Sequence, residues 1–218
     1  MEAYYRDIDR FYIAVDCIIF GFSKGELHLL LLKRNFEPAK GEWSLVGGFL
    51  KKGESIDQTA KRVLYELTGL DQIFMKQVGT FGEVDRDPGE RVVSTAYFAL
   101  MNINDYDPEL AKKYNAHWIK LSELPPLIFD HHIMVDKARK MLQNHVPNEL
   151  ISFNLLPKLF TLSELQLLYE AIIGKPLDKR NFRKKVAEMD CVEKTNEKDK
   201  SGSRRGAYLY KFNDLIQN

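Results

Sequence analysis

The chain changes character once, at residues 144–148. Asn144-His145-Val146-Pro147-Asn148 is rich in turn formers and has no apolar period, so it separates two differently patterned segments. That break predicts two domains, 1–147 and 148–218, and 218 residues suit one domain of ordinary size followed by a small one. Charge divides at nearly the same place. Residues 1–150 hold 19 Lys and Arg against 22 Asp and Glu, a net −3, whereas residues 151–218 hold 13 against 9, a net +4. The overall charge of +1 therefore conceals a basic tail.

The first segment reads as strands with helices interspersed. Residues 11–22 and 27–33 are apolar and rich in β-branched and aromatic side chains, and Ser23-Lys24-Gly25-Glu26 between them is a hairpin-like connection. A short strand is predicted over 43–49, ending in Gly47-Gly48. Over 55–68 the period becomes helical, with Ile56, Ala60, Val63, Leu64 and Leu67 spaced by three and four and Gly69 as the stop. Strands near 73–81, 92–101 and 117–121 follow, and then a helix from about 131 to 143 capped by Asp130. The fold class is α+β, dominated by a mixed sheet.

In the tail, Thr161-Leu162-Ser163-Glu164 is a capping box that opens a helix through Ile173. Gly174-Lys175-Pro176-Leu177 is a turn, and Asp178 caps a second helix reaching Met189. Strands over 191–195 and 207–212, joined by a polar loop at 196–206, complete the order helix, turn, helix, hairpin, which is that of a winged helix-turn-helix. The second helix reads DKRNFRKK over 178–185, with five basic residues in eight. Phe182, Val186 and Met189 give it one apolar stripe, which turns the cations to the opposite side. An apolar stripe for docking and a cationic, hydrogen-bonding face for base edges and phosphates are what a recognition helix needs. Arg180 and Asn181 are candidates for base contacts; Lys179, Arg183 and Lys184 for phosphate contacts. In the loop that follows, Lys200, Arg204 and Arg205 have the composition of a wing touching the DNA backbone or minor groove.

Composition excludes some classes. Hydrophobic residues at 44% supply packed cores. Cys17 and Cys191 lie far apart, without CxxC spacing or a histidine cluster, so neither a zinc site nor a disulfide is expected. The start MEAYYRDIDRF lacks the apolar stretch of a signal peptide, and no later run approaches the ~20 apolar residues that span a bilayer, so a cytoplasmic protein without a membrane partner is expected.

Between the two glycine turns, Gly48, Glu54, Arg62, Glu66 and Gly69, with apolar Leu64 and Leu70, resemble the Nudix box in identity and spacing. Two positions where that family has glutamate are Val63 and Leu67. Nudix hydrolases hold Mg²⁺ against a diphosphate with glutamates one helical turn apart, because a hard cation needs several oxygens. Positions 63, 66 and 67 share a helix face, and only Glu66 is an acid there. The box is degenerate, and the expectation is a protein that is not an enzyme, with no metal and no cofactor. Glu83, Asp85, Asp87 and Glu90 in a later loop are the acids available to substitute, whereas Glu54 and Arg62 also suit a simple ion pair across the loop.

A broken Nudix box joined to a winged helix resembles the NrtR family of transcriptional regulators. The stretches CIIFGF, LLLLKRNFEPAKGEWSLVGGF, TAKRVLYELTGL, FGEVDRDPGERVVSTAYFAL, LIFDHHIMVDKA, NLLPKLFTL and LDKRNFRKKV resemble its Nudix-type AraR branch. The resemblance spans essentially the whole chain. It implies a homodimeric DNA-binding regulator, and a dimer presenting two recognition helices predicts an inverted-repeat operator in double-stranded DNA. For the AraR branch it implies control of arabinose-utilisation genes and release by L-arabinose; for NrtR members generally, a response to ADP-ribose or related NAD metabolites. An active Nudix pyrophosphatase with a DNA-binding tail is the remaining alternative. A sugar site needs convergent hydrogen-bonding groups and an aromatic face, and Lys33, Trp43, Glu83, Asp85 and Arg86 are the effector-binding candidates.

Overall fold

A computed structural model describes residues 7–70, 73–145, 154–200 and 206–213. The expected domain boundary at 147/148 lies outside the described residues. In chain order the elements are β1 (Tyr12–Ser23), β2 (Glu26–Lys33), β3 (Trp43–Ser44), β4 (Val46–Phe49), α1 (Ile56–Thr68), β5 (Phe74–Phe81), β6 (Val92–Asn102), α2 (Pro108–Tyr114), β7 (Ala116–Lys120) and α3 (His131–His145). The tail contributes β8 (Phe160–Thr161), α4 (Leu162–Ile173), α5 (Lys179–Ala187), β9 (Val192–Asp199) and β10 (Ala207–Phe212).

The first domain is a mixed sheet of order β3-β2-β1-β6-β5, to which β4 adds by pairing with β1 and β7 by pairing with β2. The β1–β6 pair is parallel and the other pairs are antiparallel. Strand periodicity explains why the sheet is buried on both sides. Ile18, Phe20 and Phe22 of β1, with Leu27, Leu29 and Leu31 of β2 and Phe98 and Leu100 of β6, face one core. Their neighbours Val15, Cys17, Ile19, Leu30, Tyr97, Ala99 and Met101 face another. Successive side chains in a strand point to opposite faces, and a helix on each face turns an alternating pattern into the near-continuous apolar runs seen in the sequence. Helix α1 covers the second core through Ala60, Val63, Leu64 and Leu67; α3 covers the first through Met134, Val135, Ala138 and Leu142.

The hairpin between β1 and β2 is a two-residue turn, with Lys24 and Gly25 both at positive φ. The expected strand over 43–49 is interrupted at Leu45, giving β3 and β4. Helix α2, which no expectation covered, starts at the Asp107 cap with Pro108 in the first turn.

The winged helix is not a separate globule. Leu155, Leu156, Phe160, Leu165, Leu168, Tyr169, Ile172, Phe182 and Val186 belong to the same buried cluster as the α3 side of the sheet. Helix α4 packs on β2 and α3, and the side chain of Leu167 lies over the Gly25 turn.

Candidate functional site

The loop and helix around the box are built by capping. Ser55 caps α1 in a reciprocal box with Gln58, and Gly69 closes the helix in the left-handed conformation. Glu54 and Arg62 are tied together: Arg62 Nε donates to Glu54 Oε1 at 2.7 Å and Arg62 Nη2 to Glu54 Oε2 at 3.0 Å. Thr59 Oγ1 donates to the same carboxylate. With Arg62 holding it ionised, the Glu54 carboxyl titrates down at about 2. Glu66 is exposed on the outer face, 3.5 Å from Arg62. Val63 and Leu67 point the other way, into the second core, and Val63 lies so close to Gly48 that a β-carbon there would meet its Cγ2 at 2.9 Å.

These residues do not fit a magnesium ion. Of the two box acids, Glu54 is saturated by Arg62 and Glu66 pairs more loosely with the same guanidinium, whereas such a site needs several free oxygens. Glu83, Asp85 and Glu90 are exposed on the loop between β5 and β6, and Asp87 accepts a hydrogen bond from the Gly89 amide at 2.8 Å. Among the described residues no group of three or more His, Cys, Asp or Glu is placed to hold a metal.

Near the box, a cavity of ≈ 420 Å³ opens over β1, β3 and β4. Its floor is a buried polar network that sequence reasoning did not find. Asp16, in the middle of the apolar β1 run, accepts from Ser94 Oγ at 2.6 Å and lies 3.6 Å from Arg86 Nη2 and 3.7 Å from His131 Nε2. Arg86 donates through Nε and Nη2 to the two oxygens of Asp130, at 3.0 and 2.7 Å. Burial opposes the Arg86 charge, but Asp130 and Asp16 outweigh it and hold the guanidinium above its usual range. His131 Nδ1 accepts from the Leu45 amide at 3.1 Å. That bond places the ring proton of the neutral form on Nε2, toward Asp16. Burial pushes the imidazole below its ordinary range, aided by Arg86 and opposed by Asp16.

The wall above is aromatic and cationic. The Arg34 guanidinium lies 4.1 Å over the Phe36 ring and 5.9 Å from Phe129, and its Nε donates to the Pro38 carbonyl at 2.8 Å. Lys33 and Lys113 complete the rim. Of the five candidates proposed from the sequence, Lys33 and Arg86 line this cavity, and Arg86 does so with its charge already committed. Trp43, Glu83 and Asp85 do not line it. Trp43 instead packs edge-on to His117 at 5.3 Å, with Lys33 Nζ 5.5 Å from its ring centroid. Glu83 and Asp85 face solvent because the turn that bonds the Arg86 amide to the Glu83 carbonyl sends only Arg86 inward.

The second candidate site is cationic. Thr161 and Glu164 cap α4 reciprocally, and Gly174 ends it. Glu170 fixes the turn: its Oε1 accepts from the Leu177 amide at 2.8 Å and from Gln166 Nε2 at 2.9 Å. These bonds lower the Glu170 carboxyl below the usual range. Helix α5 follows, capped by Asp178, and docks on α4 through Phe182, edge-on to Tyr169 at 5.4 Å. Lys179, Arg180, Asn181, Arg183 and Lys184 are exposed, as is Lys185, which the sequence reading did not single out. The helix ends at Ala187 rather than Met189, and β9 runs on to Asp199, through part of the expected loop. Lys200 is exposed just beyond it. Arg204 and Arg205 lie outside the described residues.

Family models match both parts of the chain: the NUDIX domain over residues 10–145 and the NrtR DNA-binding winged helix domain over residues 152–212. The chain is 36% identical over 204 residues to the ADPR responsive transcriptional repressor NtrR of Acinetobacter baylyi, covering 92% of this chain and 81% of that protein. It superposes on the crystal structure of Shewanella oneidensis NrtR complexed with a 27mer DNA with a TM-score of 0.84 and 32% identity, over 92% of this chain and 93% of that one. The NUDIX domain of the same Shewanella protein, crystallised with ADP ribose, matches with a TM-score of 0.52 and 28% identity over 65% of this chain and 99% of that one. The chain therefore belongs to the NrtR family, a Nudix domain followed by that family's DNA-binding winged helix.

Proposed function

We propose that this protein is a transcriptional repressor whose Nudix domain senses ADP-ribose without hydrolysing it. The observation that carries the reading is the 420 Å³ cavity, with Arg34, Phe36 and Phe129 on its wall and a closed polar network as its floor. A purine stacks on an aromatic or guanidinium plane, and a diphosphate suits the cations Lys33, Arg34 and Lys113 at the rim. A cavity of this size lies in the range of nucleotide-sized ligands; a pentose leaves much of it unfilled. The relatives named above are an ADP-ribose-responsive repressor and a domain crystallised with ADP ribose. They favour ADP-ribose over L-arabinose, which the AraR-like stretches imply, as the effector. With Val63 and Leu67 in the core and Glu66 already beside Arg62, the ligand is held rather than cleaved.

The repressor acts as a homodimer that presents two copies of α5 to successive major grooves of an inverted repeat, roughly 34 Å apart. Ligand binding favours an arrangement with the wrong spacing. A full reversal from mostly competent to mostly incompetent needs ~5.5 kcal/mol of differential affinity.

The test is calorimetry with ADP-ribose and with L-arabinose, followed by binding to a duplex selected by the protein from random sequence. ADP-ribose is expected to bind and to weaken the DNA complex. Release by L-arabinose alone would return the effector to the sugar, and magnesium-dependent ADP-ribose hydrolysis abolished by Glu66→Gln would replace the sensor with an enzyme.

A further inference from the structure

Between the start of α4, helix α5 and the two wing strands lies a cleft of ≈ 730 Å³, and Arg183, Lys194 and Tyr208 all line it. Tyr208, on β10, is exposed. Lys194 Nζ sits 3.4 Å from its ring centroid and Lys198 Nζ 4.5 Å, so one ring gathers two ammonium groups. Cross-strand pairing sets Lys198 directly against Tyr208 and Lys194 against Tyr210, with a register shift between the two pairs that brings positions 194 and 198 closer along the ladder than their separation in sequence. Among the described residues neither lysine, nor Arg183, has an acidic partner. Glu193, the nearest acid along β9 to Lys194, is paired with Lys211 at 3.4 Å. Two like charges held together without a counterion repel, and a ring quadrupole compensates only in part. An arrangement of this kind is relieved by an anion.

We infer that the stem of the wing, rather than only its tip, grips the DNA backbone: Lys194 and Lys198 take phosphate, Arg183 takes it from across the cleft, and Tyr208 is the positioning residue that gathers the two lysines. The inference rests on the DNA-binding reading above. It assigns affinity to residues that carry no base information, because phosphate contacts fix register whereas base edges specify. The wing register favours the same conclusion. β9 continues to Asp199 and pairs with β10 on both sides of the register shift, so the lysines ride on a paired ribbon instead of a loop.

The experiment is fluorescence anisotropy of the full-length protein against a duplex selected by the protein and against a random duplex, across a range of salt. The variants are Lys194→Gln, Lys198→Gln, Tyr208→Phe and Tyr208→Ala, with Lys112→Gln on the far α2 helix as control. Each glutamine variant at 194 or 198 is expected to weaken both duplexes equally and to lower the salt slope by about 0.9. Tyr208→Ala should reproduce most of the combined loss although it removes no charge, and Tyr208→Phe should restore wild-type binding because it keeps the ring. Circular dichroism melts confirm that each variant is folded; the charge changes and Tyr208→Phe leave the core untouched. The positioning role is overturned if Tyr208→Ala leaves affinity and slope unchanged, or if Tyr208→Phe binds as poorly as Tyr208→Ala. A wild-type protein that bound neither duplex would sink the DNA reading itself, and the clamp with it.

Discussion

Removing Arg86 should be among the most damaging single changes in the Nudix domain, although it lies in a loop. Its side chain is 3% exposed and donates twice to Asp130, with Asp16 3.6 Å away on the other side. Arg86→Met keeps much of the apolar stem but leaves the Asp16 and Asp130 carboxylates, 11% and 13% exposed, without their shared cation. Breaking a buried pair by deleting one partner costs about 3–5 kcal/mol, most of it the price of the orphaned charge. For a chain of this length that is a fall in Tm of roughly 6–20 °C. Urea denaturation of Arg86→Met, Asp130→Asn and the double variant measures it. The double variant should be less destabilised than the sum of the singles, because it removes an orphan along with its cause. A loss below about 1 kcal/mol for Arg86→Met, the range of exposed pairs, would show that the network is not closed to water and would refute the reasoning.

Three further outcomes follow from the same geometry. His131 is held below its ordinary range by burial, so the unfolded chain takes up its proton first. The stabilisation is complete above the unfolded value of about 6.5 and declines as pH falls below it; His131→Gln should show a flatter stability curve than wild type between about pH 7.5 and 5.5, and identical curves would contradict the assignment. On α5, Arg180→Ala and Asn181→Ala should each cost about 1–3 kcal/mol on the selected duplex and relax specificity, while Lys184→Ala weakens all sequences alike; equal losses on random DNA for all three would undo the proposed division of roles. At the turn before α5, Glu170→Ala should reduce DNA affinity by freeing the Leu177 amide, and Glu170→Gln should retain most of it by keeping an acceptor; a melt unchanged alongside unchanged binding would show that the turn holds without it.

Much of the architecture was legible because local chemistry decides it. Ser55 with Gln58 and Gly69 bound α1, and Thr161 with Glu164 and Gly174 bound α4, through bonds that span a few residues. The two faces of β1 could be read from alternation once both were known to be covered. The cavity floor was not legible in the same way. Arg86 meets Asp130 across 44 positions, and the Leu45 amide meets His131 across 86, distances over which no periodicity operates. One signal was present and unused: Asp16 interrupts an apolar strand that is buried on both sides, and a buried acid requires a partner. Trp43 misled for the opposite reason, since an aromatic residue near a glycine turn suits a ligand wall and a packed edge equally, and only the β2–β3 register, Lys33 opposite Trp43, sets which. Helix α2 was missed although Asp107-Pro108 carries the cap and first-turn proline of a helix start.

The seam between the Nudix domain and the winged helix limits how such a protein can be taken apart or rebuilt. Domains joined by thin polar contacts swing freely and can be exchanged; here α3 begins at His131 on the cavity floor and carries Leu142 into the cluster shared with Leu165 and Leu168 of α4. Cutting off the DNA reader would bare Phe22, Leu27 and their neighbours to water, so the halves should melt in a single transition. A different reader could be grafted on only by transplanting the greasy surface beneath it, and any change at the cavity has a stiff rod, not a tether, through which to reach the winged helix.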